Sequence, residues 1–220
     1  MAILDYLSTD IPVIKPSDTG SGILDLMQAE AQTALPLLNG DQYVALIKET
    51  DILEWPQQEN AISTSEFLHF RPMVLDTAHP YDAAVLLSEL SIPFVPILDE
   101  GNKYLGVVTA EDLLHFFCKN SGLNHAGGII VLSVKPNDYS LSEISRICES
   151  NDAIILNVQV MIEHAGELMD VIIKTNTKDL QGLRASFERY EYTIKEIYGG
   201  IVLQNDVEDR YKLLMNYINM

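Results

Sequence analysis

Basic side chains are scarce in this sequence: 14 lysines and arginines stand against 32 aspartates and glutamates, a formal charge of -18 over 220 residues. A field of that sign repels nucleic acid and anionic membrane, so neither is expected as a partner, and a polyanionic ligand needs a local basic patch. Long apolar runs are missing too. No stretch approaches the roughly 20 residues of a membrane span, and the opening MAILDYLSTD has neither the basic segment nor the apolar core of a signal peptide. A cytoplasmic protein is expected. Only Cys118 and Cys148 are present, both among apolar neighbours on expected helices, which reads as two buried free thiols rather than a disulfide or redox pair. There is no glycine-rich phosphate loop, nucleophile elbow or zinc-protease helix. Asp112, His115 and Cys118 share one expected helix, but no distant cluster of His or Cys completes a tetrahedral set. Neither catalytic residues nor a metal site are expected, and the chain reads as a non-enzyme.

What is present is a repeat of about sixty residues. With Pro12 set over Pro72, Leu26 falls on Leu86, Pro36 on Pro96, Leu38 on Leu98 and Asn39 on Asp99. Each copy predicts a short strand after the first proline, a helix, a strand opening at the second proline, a turn with Gly40 or Gly101, another strand and a final helix. The second turn is one residue longer, after which Ala45 matches Gly106, Lys48 matches Thr109 and Asp51 matches Asp112. In LGVVTAEDLL, Leu105 to Leu114, a buried strand runs into a helix. Thr109 is placed to cap the first turn, and Asp112 lies where the helix dipole favours negative charge.

This pattern resembles a tandem pair of CBS domains, the Bateman module. The resemblance implies paired β-α-β-β-α units with adenosine-containing ligands in clefts between the repeats. Gly106, Val107, Val108, Thr109 and Asp112 fit the family's Gly-hydrophobic-hydrophobic-Thr/Ser-x-x-Asp segment, which supplies ribose contacts. The chemistry is sound, because a carboxylate accepts from ribose hydroxyls and a helix N-terminus favours a phosphate. The resemblance also lays the adenine against Met73, Val74 and Leu75, with Val95 and Pro96 alongside. In the first repeat Asp51 alone survives, beside Ala45 and Lys48, so a degenerate second site is expected there; Lys48 is read either as a phosphate contact or as a partner of Glu49 or Asp51. Many nucleotide-binding members carry a cation just before the second proline. This chain has Ala34 and Leu35, and Phe94 and Val95. A nucleoside, AMP or S-adenosylmethionine is therefore expected over ATP. His69 and Arg71, in the linker HFRPM, are the nearest basic residues, read either as anion contacts or as a solvated linker with the Arg71 stem on the core.

Beyond Lys119 the small, polar NSGLNHAGG reads as a linker. Then GIIVLSV predicts a strand, Ser140-Leu141-Ser142-Glu143 a capping box, and Leu141, Ile144 and Ile147 one helix face. AIILNVQVMIEH predicts a half-buried strand with Asn157, Gln159 and Glu163 on one face, and His164 to Glu167 a turn into LMDVIIKT. Leu180, Leu183, Phe187 and Tyr190 mark a second helix, and YTIKEIY a last strand. This β-α-β-β-α-β order is ferredoxin-like and resembles an ACT domain; the combination is similar to the CBS-ACT proteins grouped as acetoin-utilisation types. ACT domains that bind amino acids carry a glycine near the position of Tyr139, so an ACT-like dimerisation unit without an amino-acid site is expected. The tail places Val207, Tyr211, Leu214 and Ile218 on one helical stripe for docking.

The expected fold class is therefore α+β: CBS repeats over residues 1–60 and 61–119, a linker over 120–127, an ACT-like domain over 128–199 and a helical tail over 200–220. The expected function is a non-catalytic regulatory sensor of an adenosine ligand, acting as a homodimer on a regulated protein. The alternative is a ligand-free dimerisation or assembly module for a metabolic partner.

Overall fold

The computed structural model describes residues 3–162 and 167–199, which form two compact units divided between Phe116 and Phe117. Glu163, the turn at His164 to Gly166 and the stripe from Val207 to Ile218 lie outside the described residues.

In the first unit the repeat is visible in the backbone. Helices α1 (Gly20–Ala29) and α3 (Pro80–Leu90) start sixty residues apart, and each is followed by a left-handed residue that is not glycine, Ala31 at φ 51° and Ser91 at φ 52°. Each runs into an antiparallel hairpin, β1 (Ala34–Asn39) with β2 (Gln42–Lys48), and β4 (Phe94–Leu98) with β5 (Tyr104–Thr109). Both hairpins bulge at the same place, between Leu37 and Leu38 and between Ile97 and Leu98. Buried residues such as Leu35, Leu37, Ile47, Phe94, Ile97 and Val108 leave these strands almost no exposed face, which is why they read as continuous apolar runs.

The strand expected after the first proline forms only in the second copy. There β3 (Val74–Leu75) pairs in parallel with β4, and the next amide, of Asp76, donates to the Leu98 carbonyl at 2.9 Å. In the first copy a single parallel bridge, Ile14 to Leu37, is all that remains. The residue equivalent to Asp76 is Pro16, which has no N–H to continue the ladder. Proline also shortens the last helix of the first copy: α2 (Glu49–Leu53) stops before Trp55-Pro56, whereas α4 runs from Ala110 to Asn120.

The two copies are stitched together by their turns and entry segments. The Tyr43 amide donates to the Asn102 carbonyl at 3.3 Å and the Tyr104 amide to the Asp41 carbonyl at 2.9 Å. Ser8, ahead of the first copy, exchanges both backbone bonds with Val107 of the second; the Phe70 carbonyl, ahead of the second, accepts from Leu46 of the first at 2.9 Å.

The second unit contains β6 (Ile129–Val134), α5 (Leu141–Glu149), β7 (Ile155–Ile162), β8 (Met169–Thr175), α6 (Gln181–Arg189) and β9 (Thr193–Tyr198). Its fully antiparallel sheet has the order β7-β8-β6-β9, the ferredoxin-like arrangement. Ile130 and Leu132 of β6 and Val171 and Ile173 of β8 pack with Ile144, Ile147 and Cys148 of α5 and Leu183 and Phe187 of α6.

Several expectations for this unit change. Leu141 is exposed, because as the first residue after the Ser140 cap it precedes the turn that faces the sheet. Tyr190 is exposed beyond the end of α6. Val160, Met161 and Ile162 are exposed too, β7 being an edge strand with one side unpaired among the described residues. Gly127, read as the last linker residue, is closely packed: a Cβ there would lie 1.8 Å from the Thr175 carbonyl oxygen. Of the two cysteines, Cys148 is buried and Cys118 only partly so; both are free. Burial and the neighbouring Glu149 push the Cys148 thiol up to about 11.

Candidate ligand site

The end of β5 and the start of α4 bring Thr109 and Asp112 into a closed reciprocal cap. The Asp112 carboxylate oxygen Oδ2 accepts from the Thr109 amide at 2.9 Å and from the Thr109 hydroxyl at 2.6 Å. The Thr109 Oγ1 accepts in return from the Asp112 amide at 3.1 Å. Two amides of the first turn are thus satisfied, and both side chains remain partly open to solvent. Asp112 Oδ1 takes no part in this cap.

Just upstream, Gly106 has φ +152° and sits so close to the chain entry that a Cβ would meet the Ser8 carbonyl oxygen at 2.6 Å and Leu7 Cγ at 2.9 Å. The glycine is thus required by the docking of the N-terminal segment on β5. Tyr6 continues that docking, its ring edge-on to Phe116 at 5.2 Å. Leu7 and Ser8 escaped the repeat alignment because they precede the part of the first copy that aligns, which opens near Pro12.

Of the other residues assigned to the ligand, Val95, Pro96 and Val108 are buried within the β4–β5 hairpin, Val95 directly opposite Val108. Val74 is nearly buried, Met73 is half-buried and Leu75 is exposed.

The equivalent junction of the first copy is thinner. Asp51 Oδ2 accepts from the Lys48 amide at 3.3 Å, with no hydroxyl to complete the exchange. The Lys48 ammonium lies 4.1 Å from the centre of the Phe70 ring, so it stacks on an aromatic face instead of pairing with Glu49 or Asp51. Arg71 is also engaged: it donates to the Tyr43 carbonyl at 3.1 Å and to the Asn102 side chain, which itself donates to Tyr43 O and Gln42 Oε1, both at 3.2 Å. Arg71 therefore clamps the two hairpin turns together. Nothing in its local sequence announces this, because its partners are 28 and 31 residues away. His69 Nδ1 lies 3.3 Å from the Glu66 carbonyl oxygen.

Residues 3–57 and 67–119 match the family model of the CBS domain. The chain carries a tandem pair of CBS domains. Among solved structures it is similar to a CBS domain pair/ACT domain protein from Thermotoga maritima, at 18% identity over 54% of this chain and 98% of that one, with a TM-score of 0.47. It is similar also to CBSX2 from Arabidopsis thaliana, at 20% identity over 54% and 94% of the two chains, with a TM-score of 0.47. CBSX2 in complex with AMP gives 20% identity, 54% and 96%, and a TM-score of 0.46.

Outside the CBS pair, the second unit has a cleft of about 470 Å³ between the end of β6 and the turn entering β9, with Lys135, Glu143, Tyr190 and Tyr192 on its walls. Glu143 is already engaged there, accepting from the Tyr192 hydroxyl at 3.0 Å and pairing with Arg146 at 3.4 Å. Burial, then the bond to Glu143, push the Tyr192 phenol up to about 12. Tyr139, at the strand–helix junction, packs on the core of the unit. Among the described residues no cluster of His, Cys, Asp and Glu has metal-binding geometry, and no helix is long and apolar enough to cross a membrane.

Proposed function

We propose that this chain is a non-catalytic cytoplasmic sensor that binds an adenosine-containing ligand at the second CBS repeat, with AMP, adenosine or S-adenosylmethionine preferred over ATP. The observation that carries the reading is the Thr109–Asp112 clasp. Its cap holds the carboxylate in one orientation with Oδ1 left over, and a pre-oriented acceptor is what a ribose hydroxyl requires. The start of α4 beside it favours a single phosphate. The adenine lies along Met73, Val74 and Leu75, backed by the buried Gly106, Val108, Val95 and Pro96. Three phosphates are disfavoured, because Phe94 and Val95 offer no cation while Arg71 and Lys48 are occupied elsewhere in a chain of charge -18. Asp51 and Lys48 form the degenerate counterpart.

The ferredoxin-like unit serves dimerisation and does not bind free amino acids, with Tyr139 in the junction and Glu143 already paired. Its edge strand β7, ILNVQVMI, has no charge or proline to block pairing with a second copy. Through this unit the sensor acts on a regulated protein.

One observation favours the ligand-free assembly module instead: the Thr109 proton is spent on Asp112, so the cap is complete by itself. A thermal-shift panel of adenosine, AMP, ADP, ATP, NAD and S-adenosylmethionine separates the two. A ligand at 100 times its dissociation constant adds about 2.7 kcal/mol, or roughly 5–10 °C for a chain of this size. A shift with AMP, adenosine or S-adenosylmethionine that exceeds the shift with ATP supports the sensor. No shift with any compound supports the assembly module, and a larger shift with ATP overturns the ligand preference.

A further inference from the structure

The segment that joins the two CBS repeats builds a second cavity, which shares no residue with the Thr109–Asp112 clasp and touches its degenerate counterpart only at Asp51. It has a volume of about 410 Å³; Trp55 and Phe67 form aromatic walls, and the carboxylates of Asp51, Glu54 and Glu66 lie around them. Among the described residues no lysine, arginine or histidine lines it. The two rings meet almost at a right angle, 83°, with centroids 5.8 Å apart, the edge of one turned towards the other. Both rings are half-buried and pack against the core of the first repeat.

Hydrogen bonds hold the Trp55 side of the loop. Gln58 donates from its side-chain amide to the Ile52 carbonyl at 2.9 Å, closing the end of α2, and the Trp55 amide donates to the same carbonyl at 3.0 Å. On the other side the Ser21 amide, in the first turn of α1, donates to the Gln58 carbonyl at 2.9 Å. The Ile62 amide donates to the Asp18 carbonyl at 2.8 Å. The Trp55 side of the loop is thus braced before any occupant arrives, which lowers the cost of ordering it.

Among the described residues Glu54 and Glu66 are in no ion pair, and Lys48 is stacked on Phe70. Carboxylates alone attract any cation, but a small hydrated metal ion gains nothing from the rings and leaves most of the volume empty. Aromatic faces attract a cation whose charge is spread over an apolar shell, and they do so best when water is displaced from the ring. The combination of volume, aromatic lining and the carboxylates of Glu54 and Glu66 outside any ion pair favours that kind of ion.

We propose that the Trp55–Phe67 cleft is a binding site for a small organic cation with a methylated ammonium head.

Trp55 is the single tryptophan of the chain, so its fluorescence reports on this cleft alone. Titration of the full chain with choline, at constant ionic strength, is expected to give a saturable change with a dissociation constant of about 1 mM. The neutral isostere 3,3-dimethylbutan-1-ol and sodium ion should each bind at least about tenfold more weakly. Glu66→Gln is expected to weaken choline roughly threefold to tenfold, and Phe67→Leu to remove the saturable response. Circular dichroism establishes that each variant is folded. Should Phe67→Leu fail to fold, Glu66→Gln and the isostere comparison decide. AMP should leave the Trp55 signal and the choline affinity unchanged, which keeps this site separate from the adenosine site. The proposal is overturned if the neutral isostere or sodium matches choline, if choline gives no saturable change, or if folded Phe67→Leu keeps full affinity.

Discussion

Tyr43 and Tyr104 stand at equivalent positions of the two CBS repeats, opposite Leu38 and Leu98, yet their hydroxyls meet different fates. Tyr43 donates to the carbonyl of Pro72 at 3.0 Å, tying the first hairpin to the entry of the second repeat. The Tyr104 hydroxyl is buried with no partner among the described residues. Removing the two hydroxyls should therefore act in opposite directions. Tyr43→Phe breaks a bond and leaves a buried carbonyl unpaired, lowering the unfolding free energy by about 1–2 kcal/mol. Tyr104→Phe removes an unsatisfied group and leaves stability unchanged or raised by up to about 1 kcal/mol. Urea unfolding of both variants measures the order, and a reversed order would contradict this assignment of the two hydroxyls.

The same phenols set the response to alkali. Burial raises Tyr43 and Tyr192, and raises Tyr104 to about 12, so the folded state holds these protons more tightly than the unfolded chain does. Their contribution to stability is then complete below the ordinary phenol value of about 10 and is lost as pH climbs through the folded values. Unfolding free energy should be level on this account up to about pH 10 and fall beyond it, with a shallower fall in Tyr104→Phe. Denaturant melts between pH 8 and 11 test this; an identical fall in wild type and variant would remove Tyr104 from the explanation.

Ala31 occupies the left-handed position that ends α1, with the Gln32 amide donating to Met27 O at 2.8 Å and the Ala31 amide to Gln28 O at 3.4 Å. This is a Schellman ending built on a residue with a Cβ. Ala31→Gly removes the steric cost and should stabilise the chain by about 1 kcal/mol. Thermal unfolding reads the change, and a lower melting temperature would contradict it.

Gly106→Ala should have the opposite sign. The new methyl meets the Ser8 carbonyl oxygen and Leu7, and it must hold φ at +152°. The loss is about 2 kcal/mol or more, with faster amide exchange at Ser8 and Val107 as the entry segment lifts from β5. Unchanged protection there would place the strain elsewhere.

Asp112→Ala should abolish the AMP-induced thermal shift, while Asp51→Ala keeps most of it. Each substitution also removes a carboxylate from a helix start and costs about 1 kcal/mol of basal stability. The comparison is therefore the ligand-induced shift within each variant. A full shift in Asp112→Ala would leave the Thr109–Asp112 pair as a helix cap only.

The repeat, the order of elements in both units and the CBS assignment were legible in the linear chain because they rest on local chemistry. Apolar periodicity, prolines at fixed spacing and a Thr-x-x-Asp at a strand–helix junction act within a few residues of themselves, so they survive as pattern. Pro16 shows how such a pattern is cut short: one missing N–H reduces the first strand to a bridge, and the proline was visible while the Asp76–Leu98 bond it forfeits was not. What only the tertiary structure decided depends on contacts between residues far apart in sequence. Arg71 became a clamp because folding carried Asn102 and the Tyr43 carbonyl to it, and Lys48 became a ring contact because Phe70 crosses the edge of β2. Gly106 owes its necessity to Ser8, almost a hundred positions earlier. Trp55 and Phe67 meet because the eleven residues between them fold back on the first repeat. Local preferences name the elements, but burial and long-range hydrogen bonds choose which side chains meet, and that choice is made by the whole chain at once.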